Sequence, residues 1–140
     1  MIPDEHVEAL ARATHLRDAE RRREHATAWE RMDASEREAN LDSARFAPTI
    51  LAALGLAIVA GDRQERRTAL TPEELEAGAR LEHLRWCRFT RSIGRTQHPH
   101  LVSWEELDEP VRELDRIRIR ALPELLGRLG YSVIDDGAAA

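Results

Sequence analysis

The side chains with the most chemical potential gather in one stretch, His83-Leu84-Arg85-Trp86-Cys87, followed by His98-Pro99-His100. On a helix, residues three and four apart share a face, so His83 stands beside Trp86 and Cys87, with Ala79 on the same side. That grouping allows two chemistries. His83, Cys87, His98 and His100 are nitrogen and sulfur donors of the kind that hold zinc. Trp86 offers an indole face on which a nucleobase can stack, or it simply fills a core. Arg112, Arg116 and Arg120 recur every four residues and form one basic stripe, suited to phosphate or to salt bridges with Glu109 and Glu113. No Ser/His/Asp set, glycine-rich phosphate loop or zinc-hydrolase motif is present, so catalysis is not expected.

These residues sit in the second half of an internal repeat. Glu8-Ala9-Leu10-Ala11-Arg12 and His15-Leu16-Arg17 align with Glu76-Ala77-Gly78-Ala79-Arg80 and His83-Leu84-Arg85. Further along, Trp29-Glu30 aligns with Trp104-Glu105, Asp33 with Asp108, Arg37-Glu38 with Arg112-Glu113, Pro48 with Pro123, and Leu54-Gly55 with Leu129-Gly130. The offset grows between the two blocks, which places an insertion around Ile93 to Leu101, where Gly94, His98 and Pro99 mark a loop. The first copy spans 1–60, a linker 61–71 and the second copy 72–136. By this alignment His15 stands opposite His83, Asp18 opposite Trp86 and Asn40 opposite Asp115. His15 and His83 are expected chiefly to orient their helices through hydrogen bonds.

The elements that must position these side chains read alike in both copies. A long helix comes first. In the second copy Thr71-Pro72-Glu73-Glu74 announces it, with Thr71 as cap, Pro72 at the first helical position and Glu74 closing a capping box; the first copy starts comparably at Ile2-Pro3-Asp4. A loop with Trp29 or Trp104 follows, each Trp expected to pin its loop on the core. A second helix carries Val111, Leu114, Ile117, Ala121, Leu125 and Leu129 at helical spacing, and Pro48 and Pro123 should kink or restart it. Gly55 and Gly130 suit left-handed helix ends, and Leu56–Val59 and Tyr131–Ile134 read as short strands able to pair with each other. The expected architecture is mostly α with short β strands, two pseudo-twofold-related repeats in one compact domain.

Composition narrows the function classes. The 140 residues are 42% hydrophobic and 34% charged, a globular balance. A net charge of -5 argues against duplex nucleic acid as partner. The longest apolar stretch, Ile50 to Ala60, is too short for a bilayer, and Met1 to Glu5 lacks the features of a signal peptide, so no membrane insertion and a cytoplasmic location are expected. The single Cys87 fits a reducing compartment. Every basic residue is Arg, which records a GC-rich genome or a preference for bidentate anion contacts.

The second copy resembles the ryanodine-receptor (RyR) domain family through Leu81-Glu82-His83-Leu84-Arg85-Trp86, Gln97-His98-Pro99-His100-Leu101-Val102-Ser103-Trp104-Glu105, Arg112-Glu113-Leu114-Asp115 and Leu122-Pro123 through Leu129-Gly130-Tyr131. The first copy keeps the frame, lacks the His-Pro loop and has Asp18 where the family has Trp. The resemblance implies paired repeats, as in the animal calcium-release channels, where one pair holds an adenine nucleotide between its two copies, and a prokaryotic, bacterial type whose relatives accompany channel-linked, nucleotide-signalling or antiviral defence systems in a sensor role. It implies a ligand-facing Trp86 and a polar reader at Asn40, with His83, Asp115, His15, Asp18 and Arg112 completing the expected site. It also accounts for His83 and His98-Pro99 without metal. The expected function is therefore a non-catalytic sensor for an adenine nucleotide or nucleotide-derived second messenger: an ATP- or ADP-like molecule, a cyclic ADP-ribose-like molecule or a cyclic oligonucleotide, with no cofactor required. An effector protein is an expected partner. The alternative is an interaction module that docks a protein through an exposed helix face, which the loss of Trp at Asp18 favours.

Overall fold

The computed structural model describes residues 2–139. Helix α1 covers Asp4–Arg22, α2 Ala34–Ala53, strand β1 Leu56–Ala60, α3 Pro72–Ser92, α4 Glu109–Arg128, strand β2 Tyr131–Asp135 and a short α5 Asp136–Ala139. Short 3-10 turns at Trp29–Arg31 and Trp104–Glu106 precede α2 and α4. The order helix, 3-10 turn, helix, strand thus occurs twice.

Local chemistry explains the boundaries. Thr71 Oγ1 accepts from the Glu74 backbone N–H at 3.1 Å while Glu74 Oε1 accepts from the Thr71 N–H at 2.8 Å, a reciprocal cap that starts α3. Gly55 and Gly130, at φ 78° and 91°, turn the chain out of α2 and α4 in a conformation that a Cβ would strain. Pro48 and Pro123 do not restart a helix, contrary to one of the two outcomes expected of them: α2 and α4 run through both. Each proline removes one backbone donor, but the surrounding turns are buried through Ala47, Ile50 and Leu51 or Leu122, Leu125 and Leu126, and that packing holds the helix together.

The strands extend one residue further than their patterns suggested and pair antiparallel, Leu56 opposite Asp135, Ile58 opposite Val133 and Ala60 opposite Tyr131. The fold is mostly helical with this two-stranded sheet. Helix α1 lies against α2 and α4, and α3 against the same two, so the four long helices form a closed ring of neighbours. One main core fills it, built from Leu10, Ile50 and Leu51 together with Leu122, Leu125, Leu126 and Val133, so that the interior does not divide at the linker. A smaller cluster, Ala79, Trp104 and Leu107 with Val102 and Val111, seats the loop before α4. The linker is tied down as well, Arg67 donating from its backbone to Val133 O at 2.7 Å and from its side chain to Glu74 and Asp135. No helix among the described residues is long and apolar enough to cross a membrane.

Candidate functional site

Glu82 is a carboxylate with 1% of its surface exposed, and its burial organises the site. A buried charge must be paired and hydrogen-bonded. Arg85, one turn later on α3, meets it in fork geometry, with Nε 3.0 Å from both carboxylate oxygens and Nη2 2.8 Å from Oε1. Ser43 Oγ donates to the same oxygen at 3.0 Å from α2, and Arg85 reaches on to Asp42 at 2.7 Å. From α4, Arg118 donates through Nε to Asp18 Oδ2 at 2.7 Å and through Nη2 to Asn40 Oδ1 at 3.0 Å. The polar cluster thereby joins all four long helices.

Above it opens a cleft of about 320 Å³ whose lining includes Asp18, His83, Trp86, His98, His100 and Asp115. Trp86 forms an aromatic wall: His83 stacks near it at 5.9 Å and 15°, and His98 meets it edge-on at 4.9 Å and 80°. Burial, with His100 and Arg95 nearby, holds His98 below its ordinary value, favouring the neutral ring. His83 Nε2–H donates to Val102 O at 2.7 Å, leaving Nδ1 3.9 Å from Asp115 Oδ2. Burial pushes the carboxyl of Asp115 up to about 7, reinforced by the charge of Glu82 and opposed by Arg118 and Arg85. Asp18 is also raised, by burial above all, and its Oδ1 is sealed in the wall without a hydrogen-bond partner.

Of the residues expected from sequence, Trp86, His83, Asp18 and Asp115 come together here. Asn40 stands behind the wall, its Nδ2 bonded to Glu36 O at 2.9 Å and its Oδ1 to Arg118. His15 and Arg112 lie elsewhere. His15 Nε2 meets Thr27 O at 2.9 Å, tying α1 to its following loop as His83 ties α3 to Val102. Arg112 donates to the carbonyls of Trp104 and Glu105 at 3.0 and 2.9 Å, so its guanidinium is spent on the loop. The rest of the arginine stripe is spent likewise, Arg116 on Glu76 at 2.9 Å and Arg120 on Glu113 at 3.1 Å.

The zinc alternative finds no geometry. Among the described residues no group of three or more His, Cys, Asp or Glu side chains is placed to hold a metal ion. Cys87 Sγ lies 3.5 Å from His83 Nε2, and burial raises its thiol away from the thiolate a metal needs.

Arg118, Glu82 and Arg85 are lining residues of the candidate site that residue typing overlooked. The signal for Arg118 was its place three residues after Asp115, on the same helical face; for Arg85 it was the His-Leu-Arg run shared by both halves. Set beside known proteins, the chain matches no family model, no curated protein and no solved structure.

Proposed function

We propose that this chain is a non-catalytic binding module, built from two copies of one repeat, whose cleft takes the adenine base of a nucleotide or nucleotide-derived messenger. The observation that carries this reading is the cleft itself: an indole wall at Trp86 facing a floor of carboxyl and guanidinium groups, in a volume of about 320 Å³. That volume lies at the small end of ligand sites, about 300–1,000 Å³, and suits a base better than a whole nucleotide. An aromatic wall supplies sequence-tolerant stacking, and fixed polar groups supply orientation. Arg85 and Arg118 are already engaged by carboxylates. Arg22, 42% exposed in its side chain and 3.8 Å from Asp18, is the guanidinium left at the mouth to meet a phosphate outside the cleft.

The candidate ligands are ATP- and ADP-like molecules, cyclic ADP-ribose-like molecules and cyclic oligonucleotides, with an effector protein downstream in antiviral or channel-linked signalling. Thermal-shift measurements with one member of each class test the reading. A ligand at a hundred times its Kd stabilises the folded state by about 2.7 kcal/mol. A melting temperature unmoved by every member at millimolar concentration sinks it. Docking of a protein on an exposed helix face is the weaker reading: the exposed large apolar residues Leu16, Leu84, Ile93 and Leu114 are divided among α1, α3, its following loop and α4.

A further inference from the structure

Of the polar side chains in and behind the cleft, Glu82, Asp18 and Asn40 are either held by protein partners or closed off from solvent. Glu82 is held by Arg85 and Ser43. Asp18 gives one oxygen to Arg118, and its other oxygen is closed off from solvent. Asn40 is bonded at both its oxygen and its nitrogen. Asp115 differs. Its side chain keeps 17% of its surface, it lines the cleft, and the basic group facing it, His83 Nδ1, stands 3.9 Å away, beyond hydrogen-bond distance. A largely buried carboxyl with no protein donor is costly unless a ligand satisfies it.

We propose that Asp115 reads the ligand's base: with the base stacked on Trp86, its carboxyl accepts a hydrogen bond from an exocyclic amine and donates its O–H to the neighbouring ring nitrogen. The class of base selected is one with an amidine edge, an amine beside an unprotonated ring nitrogen, as adenine has. This inference rests on the nucleotide reading above and deepens it. The pairing requires the neutral acid, because an ionised carboxylate has acceptors only and would set a lone pair against the ring nitrogen. A guanine edge presents two donors and calls for the ionised form instead. The surroundings favour the neutral acid at moderate pH, since burial pushes Asp115 up to about 7. The charged and titratable groups around it are Asp18 and Arg22 from α1, Glu82, His83 and Arg85 from α3, Arg118 from α4 itself, and His98 and His100 from the loop; α2 brings neutral Ala39 to the cleft, with Asn40 behind it. Acids and arginines balance closely, so the ligand edge and the proton on Asp115 are coupled.

Titration calorimetry with adenosine at pH 6 and pH 8 is the test, on the wild-type chain, Asp115→Asn and Asp115→Ala. Wild type is expected to bind adenosine about tenfold more weakly at pH 8, following the loss of the proton near pH 7. Asp115→Asn presents one acceptor and one donor at every pH, so it should bind alike at both and match wild type at pH 6 within a few-fold. Asp115→Ala should be weak at both. Wild-type affinity independent of pH overturns the proposal, and so does a pH dependence that persists in Asp115→Asn, which would place the titrating group elsewhere. Loss of adenosine by Asp115→Asn with the melting temperature intact also overturns it. If wild type binds neither adenosine nor any nucleotide at either pH, the nucleotide reading itself falls and this inference with it.

Discussion

The Nε of Arg118 lies 2.7 Å from Oδ2 of Asp18, a contact across 100 residues of chain that ties α4 to α1. The Asp18 side chain is 5% exposed and that of Arg118 20% exposed, so removing either partner leaves a charge in a poorly solvated place. Arg118→Ala should cost about 3–5 kcal/mol of stability, as expected for breaking a buried pair. Arg118→Lys should recover only part of this, because one ammonium cannot reproduce the fork that spans Asp18 and Asn40. Urea unfolding of both variants measures the difference; an Arg118→Ala loss below about 1 kcal/mol would show the pair to be effectively solvated.

Stability should fall as pH rises from acid to neutral through the titration of Asp115. Its carboxyl keeps its proton up to about 7 when folded but only to its ordinary 3.8 when unfolded. The folded state therefore binds more protons between those values, and the stability present below the lower one is lost as pH climbs through the upper. At about 1.4 kcal/mol for each pH interval of one between the two values, the loss amounts to a few kcal/mol. Glu74 and Glu76, both held low by arginine partners, act the opposite way at more acid pH, so the comparison must isolate Asp115. Asp115→Asn should gain on wild type steadily between pH 4 and pH 7. A difference that stays flat across that range contradicts the buried, protonated carboxyl.

Much of the architecture was legible because its causes are local. Thr71 and Glu74 cap a helix three residues apart, and Gly55 and Gly130 end helices by their own conformational freedom. The site was legible in part. Trp86 and His83 could be placed on one face by spacing alone, whereas among the arginines the most regular spacing pointed away from the cleft. Arg112, Arg116 and Arg120 form the regular stripe, yet each meets a carboxylate or a carbonyl close by, and the inward guanidinium is Arg118, off that register. Its partners Asp18 and Asn40 are remote in sequence, and no spacing rule reaches them. Asn40 illustrates the same limit: a side chain suited to a base edge is consumed by α2 and Arg118.

The three tryptophans should respond differently to truncation. Trp104 is 5% exposed and donates from Nε1 to Glu76 at 3.1 Å, with Arg112 and Arg116 packed 5.7 and 5.6 Å from its ring. Trp104→Ala should cost about 3–5 kcal/mol of folding. Trp29 is half-buried against the main core under Arg12, so Trp29→Ala should lower stability by less and leave ligand affinity unchanged. Trp86→Ala should keep most of the stability and lose roughly ten- to hundredfold in nucleotide affinity, the loss of one stacking contact. Melting curves and calorimetry on the three variants separate these effects. Trp29→Ala losing ligand while Trp86→Ala merely unfolds would put the binding surface on the other side of the molecule.

Two glycines in helices should give opposite signs when changed to alanine. A Cβ on Gly78 would stand 2.8 Å from Ile119 Cγ2, 3.4 Å from Leu54 Cδ1 and 3.6 Å from Ile50 Cγ2, because α3 crosses α4 closely at this point. Its counterpart in the first half, Leu10, is by contrast a large side chain buried at 1% exposure, so the two helices use that position in different ways. Alanine gains up to about 1 kcal/mol in helix propensity. Overpacking a tight contact costs about 1–3 kcal/mol. The second effect wins at Gly78, and Gly78→Ala should destabilise. At Gly127 in α4 nothing lies within 4 Å of the added carbon, so only the propensity gain remains and Gly127→Ala should stabilise. Chemical denaturation of both variants decides the matter, and pairing Gly78→Ala with Ile119→Ala should cost less than the sum of the single changes, since the clash is removed with the methyl that causes it. If Gly78→Ala stabilises as Gly127→Ala does, α3 and α4 approach less closely than the packing of Ile119 requires, and Glu82, one turn further along α3, would lose the seal that keeps its charge from water.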